Sequence, residues 1–478
     1  MRPRTLLVLL ALVAVLGAFI WFYERELPSS EERAKLEKRV VQVEKDDVNE
    51  ITLQSEVGTV RMERVKLREK EEEKEEEKEE ELELEEIDIT PDSEWRLLEP
   101  LKARADIMAV DGFLDALTTL EQTRTLEDVD PKQAGLDQPR ATVRLKTDKG
   151  ETVLKIGAAD PMGGSTLASI EGGETFVVSD SILSEIQRKP GDWRDRQMFR
   201  GNRDEVRRVT LAANGQRVVL ASKDDAFRIE SPLRDRADRE KVDELFAELS
   251  GLMAERFLDQ PARPLAELGL QPPRAIVEVA SEQGPPVRIE VGSEVEQEEP
   301  VEEIERSPVA KPVYARMDGQ VFEVRTRLAD VAARPAAEWR AQTLSSLDVF
   351  QVESVGVDDG QGRLTLQRAE PDWKRGEETI SYLPVSDFLF ALVQARAERL
   401  LSPGEAASLG IGGKPVLTVT LKGKDVGEET LTLYPPVAAG VPARAAGRDL
   451  VLLLPAGTLG EVQGKLAEVR KAKPVQKQ

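Results

Sequence analysis

The sequence contains no histidine and no cysteine among its 478 residues. These two absences exclude nucleophilic triads that need histidine, cysteine nucleophiles, zinc sites of imidazole or thiolate, disulfide bonds and lipid attachment at cysteine. The chain also lacks a basic patch interleaved with aromatic residues, which is the usual signature of nucleic-acid binding. We therefore expect no nucleic-acid partner.

Negative charge is abundant but concentrated in two places. The net charge is −23, yet residues 69–86 hold thirteen Glu against three Lys, and residues 294–305 hold seven Glu and no Lys or Arg. The rest of the chain is therefore close to balanced. We interpret both runs as solvated acidic insertions in loops. A calcium site or a partner-binding segment is the alternative, although consecutive Glu residues do not supply the loop spacing that calcium sites use.

An uncharged, mostly apolar run from Thr5 to Tyr23 follows the basic residues Arg2 and Arg4. Its nineteen residues, at ~1.5 Å each, span roughly 28 Å, which is near the hydrocarbon thickness of a bilayer. Trp21 and Tyr23 end the run, where amphipathic rings favour the membrane interface. Because positive charge stays in the cytoplasm, we predict a single-pass inner (cytoplasmic) membrane protein. Its N-terminus is cytoplasmic, residues 5–23 contact the lipid bilayer, and the bulk of the chain is extracytoplasmic, in the periplasm.

A cleaved signal peptide is the alternative interpretation of this segment. The residues Leu16-Gly17-Ala18 resemble a small-residue cleavage site. The apolar run continues past them to Tyr23, however, where a cleaved peptide is expected to turn polar. We therefore favour a retained anchor, followed by a charged juxtamembrane stalk.

One pattern of residues occurs three times along the chain and ends each time in an amphipathic helix. The apolar stripes of these helices are Val110, Phe113, Leu114, Leu117 and Leu120, then Val242, Leu245, Phe246, Leu249 and Leu252, then Val385, Phe388, Leu389 and Leu392. The copies lie about 130 to 145 residues apart, which is the size of a domain and too long for a solenoid unit. We predict a cytoplasmic stub (residues 1–4), a transmembrane helix (5–23) and a juxtamembrane stalk (24–44). Three repeat domains follow at residues 45–200, 201–342 and 343–466, the third of them divergent, and residues 467–478 form a tail.

Each repeat is predicted to fold as an antiparallel hairpin, an amphipathic helix, a meander of four strands and a short closing helix. The turn Asn214-Gly215 between two alternating segments is a strong hairpin signal. Helices do not alternate with strands, so parallel βαβ units are not expected. The predicted fold class is α+β with antiparallel sheet, preceded by the N-terminal transmembrane helix.

Arg124, Arg256 and Arg399 recur fourteen residues after the first apolar position of each helix. They are the candidates for contact with an anionic partner or glycan. The alternative is a structural role, in which each Arg bridges helix end and sheet through a carboxylate or backbone carbonyls. Trp193 and Trp339 raise a similar choice between a stacking platform for sugars and packing of the closing segment.

No residue set in the sequence indicates catalysis. Gly163-Gly164 does not open a helix, as a phosphate-binding loop requires. Paired carboxylates for glycoside hydrolysis are available, but nothing singles out two of them. We therefore predict no catalytic residues, no cofactor, no metal and no enzyme activity, with an acidic-pair glycoside hydrolase as the less favoured alternative.

The chain resembles a bacterial family named for a domain of unknown function, number 4340. The resemblance is carried by the N-terminal anchor and by Trp95-Arg96-Leu97, Pro100-Leu101, Ala105-Asp106, Gly135-Leu136 with Pro139, Ile156-Gly157 and Trp193-Arg194-Asp195. It is good from Val48 to Trp339 and loose in the last repeat. Family members look like envelope proteins often encoded beside an ABC-type exporter related to the gliding-motility transporter.

The resemblance implies a non-enzymatic accessory or scaffold protein, anchored at the membrane and associated with an ABC-type transport complex, so transporter subunits are the expected partners. An envelope glycan- or peptide-binding module is the alternative. Neither the residues nor the resemblance indicates an oligomeric state.

Overall fold

The structure is a computed structural model that describes residues 38–66, 93–127, 129–223, 226–296, 310–423 and 427–475. The predicted stub, the predicted transmembrane helix 5–23 and most of the stalk lie outside these ranges. So do the first acidic insertion and most of the second. Within the described ranges, no helix is long and apolar enough to cross a bilayer.

The described residues form three antiparallel sheets of nine strands each. The first sheet contains β1 (Val48–Ser55), β2 (Gly58–Lys66), β3 (Ser93–Glu99), β4 (Ala103–Arg104), β5 (Arg124–Leu126), β6 (Ala141–Thr147), β7 (Gly150–Ala159), β8 (Ser165–Ile170) and β9 (Thr175–Ser179). The second contains β10 (Val206–Ala213), β11 (Gln216–Lys223), β12 (Ala226–Ser231), β13 (Asp235–Arg236), β14 (Ala254–Phe257), β15 (Ala275–Ser281), β16 (Val287–Glu294), β17 (Pro312–Met317) and β18 (Gln320–Arg325). The third contains β19 (Val352–Asp358), β20 (Arg363–Ala369), β21 (Asp372–Arg375), β22 (Glu378–Ile380), β23 (Arg399–Leu401), β24 (Leu417–Gly423), β25 (Glu428–Leu433), β26 (Val441–Ala445) and β27 (Val451–Leu454).

All three sheets have the same strand order. In the first sheet it is β4-β3-β2-β1-β6-β7-β8-β9-β5, and the other two repeat it strand for strand. The central strand β1 alternates buried and partly exposed residues, as a strand with one face on the core does. Its buried Ile51 lies between Met62 on β2 and Leu145 on β6, so the apolar face of the sheet is continuous across the three strands.

Each sheet encloses one long amphipathic helix: α1 (Ile107–Thr118), α3 (Arg239–Ser250) and α5 (Tyr382–Val393). In the first repeat the helix begins at Asp106, whose carboxylate accepts hydrogen bonds from the backbone N–H of Met108 and Ala109. The chain enters α1 from the edge strand β4 and leaves it for the opposite edge strand β5. The helix therefore crosses the sheet, and its predicted apolar stripe is buried against the strands.

Burial of the helix stripe against the sheet stabilises each repeat. Phe113 and Leu114 are fully buried in the first repeat, and burying a side chain of this kind stabilises the fold by ~1.5–3 kcal/mol. The corresponding Leu245 and Phe388 are fully buried in the other two repeats. The sequence prediction of these three helices is confirmed.

The predicted α+β fold class is wrong, because the described part of the chain is mostly β and each repeat forms one antiparallel sheet of nine strands. The first strand of each hairpin pairs with the first strand of each meander, β1 with β6, β10 with β15 and β19 with β24. Three further strands complete each sheet, so the described part of the chain is mostly β. Two of the missed strands, β4 and β5, have two and three residues. Such short edge strands are too brief for an alternating pattern to be visible.

The segments that close the repeats differ. The first two repeats end in a short helix, α2 (Ser181–Ile186) or α4 (Leu328–Ala333), and a 3-10 turn that buries Trp193 or Trp339. The third repeat has α6 (Pro403–Ser408) after β23 and ends in a longer helix, α7 (Thr458–Lys471). The guanidinium of Arg375 donates to the carbonyls of Val469, Arg470 and Ala472 at the end of α7, which satisfies carbonyls that a helix end leaves unpaired.

The chain divides into two compact units between Arg196 and Gln197. The first unit holds the first sheet, and the second unit holds the second and third sheets. We refer to each sheet with its helices as a repeat.

Candidate functional site

The three recurring arginines each lie on the same edge strand of their own sheet. Arg124 begins β5 and donates through Nη2 to Oδ2 of Asp160 at 2.9 Å. Asp160 is buried at the β7–β8 connection, whereas half of the Arg124 side chain is exposed. An exposed Arg held by a buried carboxylate is a structural arrangement in this repeat.

The other two arginines diverge from each other. Arg256 on β14 pairs with the carboxylate of Glu323, and Nε lies 3.0 Å from Oε2. Arg399 on β23 lies opposite Leu453, and no carboxylate of the described residues lies within ion-pair distance of it. Contact of these arginines with an anionic partner stays a prediction, and the structure places them on three separate strands, β5, β14 and β23.

The two closing tryptophans are structural. Trp193 and Trp339 are fully buried, so neither indole is available as a stacking platform for sugars. Arg188 and Arg334 lie over the two rings, 5.4 and 5.0 Å from the centroids. Such cation–π contacts stabilise the closing turn of each repeat.

A buried ionic network joins the second and third repeats. Arg448 donates through Nε and Nη2 to the two carboxylate oxygens of Asp235, at 2.8 and 3.0 Å. Both side chains are at most 5% exposed. Arg236, the neighbour of Asp235 on β13, donates to Glu429 of β25 at 2.9 Å and to the backbone carbonyls of Thr343 and Leu344 at 3.0 Å. The two ion pairs therefore cross from one repeat to the other in opposite directions.

The charges of this network are largely shielded from water, and Asp235 also lies 3.5 Å from Nε of a third arginine, Arg340. Burial lowers the pKa of the Arg236 guanidinium to about 10, while the carboxylate of Glu429 opposes that shift. Arg236 is still charged at neutral pH. The hydroxyl of Ser345 and the backbone N–H of Ser346 also donate to Glu429, at 2.6 and 3.0 Å. These hydrogen bonds and ion pairs hold the second and third repeats together, although Nε of Arg236 and Nη1 of Arg448 are buried without a hydrogen-bond partner.

The contact between the central helix and the 3-10 turn before the first strand differs in the third repeat. A 3-10 turn precedes the first strand of each sheet, and the residue two places before that strand is Asp46, Asp204 or Phe350. In the first repeat Lys45 of this turn forms an ion pair with Asp115 of α1 at 3.2 Å, and in the second Arg203 pairs with Asp243 of α3.

In the third repeat the same two elements meet through aromatic rings. Phe350 packs edge-on against Phe390 of α5, with ring centroids 6.1 Å apart. Yet Phe350 is 65% exposed, so most of its apolar surface faces water. The second residue of the helix changes in the same sense, because Leu383 replaces Glu240 and is also 65% exposed.

A shallow cleft lies at the start of α5, beside Leu383. It has a volume of about 530 Å³ and is lined by Arg368, Glu370, Pro371 and Tyr382. Arg368 donates to the carbonyl of Val349 at 3.2 Å, which places the cleft beside Phe350. Leu383 follows Tyr382 directly, and Phe390 lies seven residues further, on the same side of the helix. We call Phe350, Pro371, Tyr382, Leu383 and Phe390 the third-repeat apolar surface.

The rim of this surface is acidic. Asp348 caps the 3-10 turn by accepting from the N–H of Phe350 at 3.0 Å. Asp372 accepts from the N–H of Tyr382 at 3.2 Å, and Glu370 lines the cleft. None of these three carboxylates has an ion-pair partner among the residues that the structure describes. The nearby Arg368 lies over the ring of Trp373, 5.3 Å from its centroid.

The sequence patterns did not lead to this surface, although a signal for it exists. Phe350 stands where the other two copies have Asp, and Leu383 where the second copy has Glu. An alignment of the three copies by their helices and first strands finds both replacements. The described ranges contain no group of three or more Asp or Glu side chains placed to hold a metal ion.

A comparison with curated proteins finds no match to this sequence. A family model, described as Domain of unknown function (DUF4340), matches residues 95–234 and 228–410. Each matched segment begins in the third strand of one sheet and ends within the following repeat, so the family unit is offset from the sheets. Together the segments cover most of the chain and run through all three repeats. The chain therefore belongs to the DUF4340 family.

Proposed function

We propose that the protein is a non-enzymatic accessory or scaffold subunit of an ABC-type transport complex. Residues 5–23 hold it at the inner (cytoplasmic) membrane, and the rest of the chain lies outside the cytoplasm. The observation that carries the proposal is the third-repeat apolar surface. Large apolar side chains clustered in water, with a polar rim, mark a site of macromolecular contact.

The ionic network between the second and third repeats supports a scaffold role. A protein that holds a partner in place needs its binding surface in a fixed position. The network fixes the third repeat, which carries the surface, to the second repeat through two buried ion pairs. The apolar run 5–23 and its basic flank support attachment to the membrane.

Affinity capture from solubilised membranes tests this proposal. The tagged full-length chain is compared with the double variant Phe350→Lys/Phe390→Asp, which replaces both aromatic rings with charged side chains. We expect subunits of an ABC-type transporter to be enriched with the wild-type chain and depleted at least tenfold with the variant. Absence of any transporter subunit in both captures contradicts the proposal.

An envelope peptide-binding module is the second candidate, and the cleft beside Tyr382 favours it. In that case the purified chain is retained by cell-wall fractions without any membrane partner. Retention that is lost in Tyr382→Ala, together with no transporter in the capture experiment, favours this second function.

A further inference from the structure

We infer that the third-repeat apolar surface docks a protein segment whose apolar side chains stand next to a lysine or arginine. This inference rests on the proposed function, since it states which chemistry the partner presents to the scaffold. Three features of the third repeat support it: an exposed apolar residue at the start of the helix, the absence, among its described residues, of an ion pair that the other two repeats have, and the charge of the rim.

The position of the surface is a place where repeats of this chain form contacts. In the second repeat, Glu240 at the start of α3 accepts from Nη1 of Arg396 in the third repeat, at 2.7 and 2.8 Å. The start of α3 in the second repeat thus contacts the third repeat through one ion pair, in which the Glu240 side chain stays 74% exposed. The equivalent residue of the third repeat, Leu383, is 65% exposed and apolar, so this position presents an apolar side chain to water where the second repeat has a carboxylate.

The other two repeats show that the fold does not need the exposed rings, because they have ion pairs between the same two elements. The first two repeats join the 3-10 turn to the helix with Lys45–Asp115 and Arg203–Asp243. The third repeat keeps the same strand order without such a pair. A Phe that is mostly exposed contributes little to folding, because only its buried area counts. The exposed area of Phe350 and Leu383 is therefore available for binding.

The rim selects the charge of the partner. Asp348 and Asp372 accept from the backbone N–H of Phe350 and Tyr382, and Glu370 lines the cleft. Among the described residues at this cleft, three carboxylates therefore outnumber the one cation, Arg368. A basic side chain next to the docked apolar groups finds carboxylates within reach, whereas an acidic one is repelled. The same rim repels the anionic headgroups of a membrane surface, so a protein segment fits better than lipid.

Photocrosslinking in membranes identifies the segment. A photoreactive amino acid is placed at position 383 of the full-length chain and, as a matched control, at position 108. Met108 is the second residue of α1 and is 78% exposed, but its repeat carries the Lys45–Asp115 ion pair. We expect crosslinks to one defined peptide at 383 that are absent at 108, and we expect that peptide to contain Lys or Arg beside apolar residues.

The captured sequence is then synthesised as a peptide and titrated against the purified full-length chain. We expect Phe350→Asp and Glu370→Lys each to weaken binding at least tenfold, and Met108→Asp to leave it unchanged. Reversal of the basic residue in the peptide to Glu is expected to weaken binding to the wild type and to restore part of the binding to Glu370→Lys. Thermal unfolding of each variant confirms that the fold is intact.

Three results overturn the inference: crosslinks at 383 to lipid alone, a captured segment without a basic residue, or binding that ignores Glu370→Lys. Transporter subunits that are captured without any crosslink at 383 sink the inference and leave the proposed function standing. No transporter in the capture, together with a basic apolar segment crosslinked at 383 from another protein, contradicts the proposed function and supports the surface assignment.

Discussion

The second and third repeats have the same strand order but use the start of the central helix in opposite ways. In the second repeat this region is polar and contacts the third repeat through the ion pairs of Asp235, Arg236 and Glu240, although the Glu240 side chain stays 74% exposed. In the third repeat the equivalent region carries Leu383 and lies beside Phe350, and both are exposed. The same strand order therefore supports an open binding surface in one copy and, in another, the ionic network of Asp235, Arg236, Glu429 and Arg448, which we call the joint. The difference lies in a few surface residues, because the buried residues that define the sheet are unchanged in character.

The largest expected effect comes from the joint itself. Arg448→Ala leaves the buried carboxylate of Asp235 without its main partner, and breaking one side of a buried pair costs ~3–5 kcal/mol. Chemical denaturation followed by circular dichroism measures the loss. The control is Arg444→Ala, at an exposed position of the same region, which is expected to change stability by less than ~0.5 kcal/mol. Equal effects of the two variants contradict the assignment of the joint.

A second variant tests a feature that the second repeat has and the third lacks. Gly292 lies within β16, directly after Val291. A Cβ added at Gly292 overlaps the carbonyl oxygen of Leu268. The equivalent residue in the third repeat is Tyr434. We expect Gly292→Ala to destabilise the chain by ~1–3 kcal/mol, the usual cost of overpacking.

Gly464→Ala is the control for that substitution. Gly464 lies within α7, and an added Cβ meets nothing within 4 Å. Because Ala is a better helix former than Gly, this variant is expected to stabilise the chain by up to ~1 kcal/mol. Both changes are read from denaturation midpoints, and a neutral Gly292→Ala argues against the close approach.

Substitutions in the third-repeat apolar surface are expected to reduce partner binding and to change stability little, whereas those in the joint reduce stability. Phe350→Asp changes the free energy of unfolding by less than ~0.5 kcal/mol, because the ring is mostly exposed, but it weakens partner binding at least tenfold, which is ~1.4 kcal/mol. The matched change Asp46→Phe in the first repeat is expected to leave binding unaltered. If Phe350→Asp loses much stability but still binds the partner, the Phe350 ring stabilises the fold and is not part of the binding surface.

The smallest effect concerns pH at the edge of the joint. The hydrogen bond from Arg396, and then the charge of its guanidinium, lower the pKa of Glu240. A carboxylate with a lowered pKa in the folded state stabilises the fold above its unfolded pKa, and this contribution is lost as the pH falls through the lowered value. Because the pair is exposed, its contribution is within ~0.5 kcal/mol. Glu240→Gln is expected to flatten the stability profile slightly below pH 5, as measured by thermal unfolding, and an unchanged profile contradicts this.

The sequence was sufficient for features that depend on near neighbours. The stripe of Val110, Phe113 and Leu114 predicted α1, and Asn214-Gly215, both with positive φ, predicted the β10–β11 hairpin. Contacts between distant residues were not predictable in this way. Arg236 and Glu429 are 193 positions apart, and the pairing of β1 with β6 has no periodic signal of its own. The surface around Phe350 was missed because exposed side chains follow no packing rule.

Hydroxyl-radical footprinting of the full-length chain tests the central claim most directly. Oxidation of Phe350 is compared between intact membranes and the purified protein, with Met108 and Met162, 78% and 85% exposed, as internal references. The account predicts that Phe350 is protected in membranes and reactive after purification, while the two methionines react equally in both. Equal reactivity of Phe350 in the two samples would contradict the assignment of this surface to a binding partner.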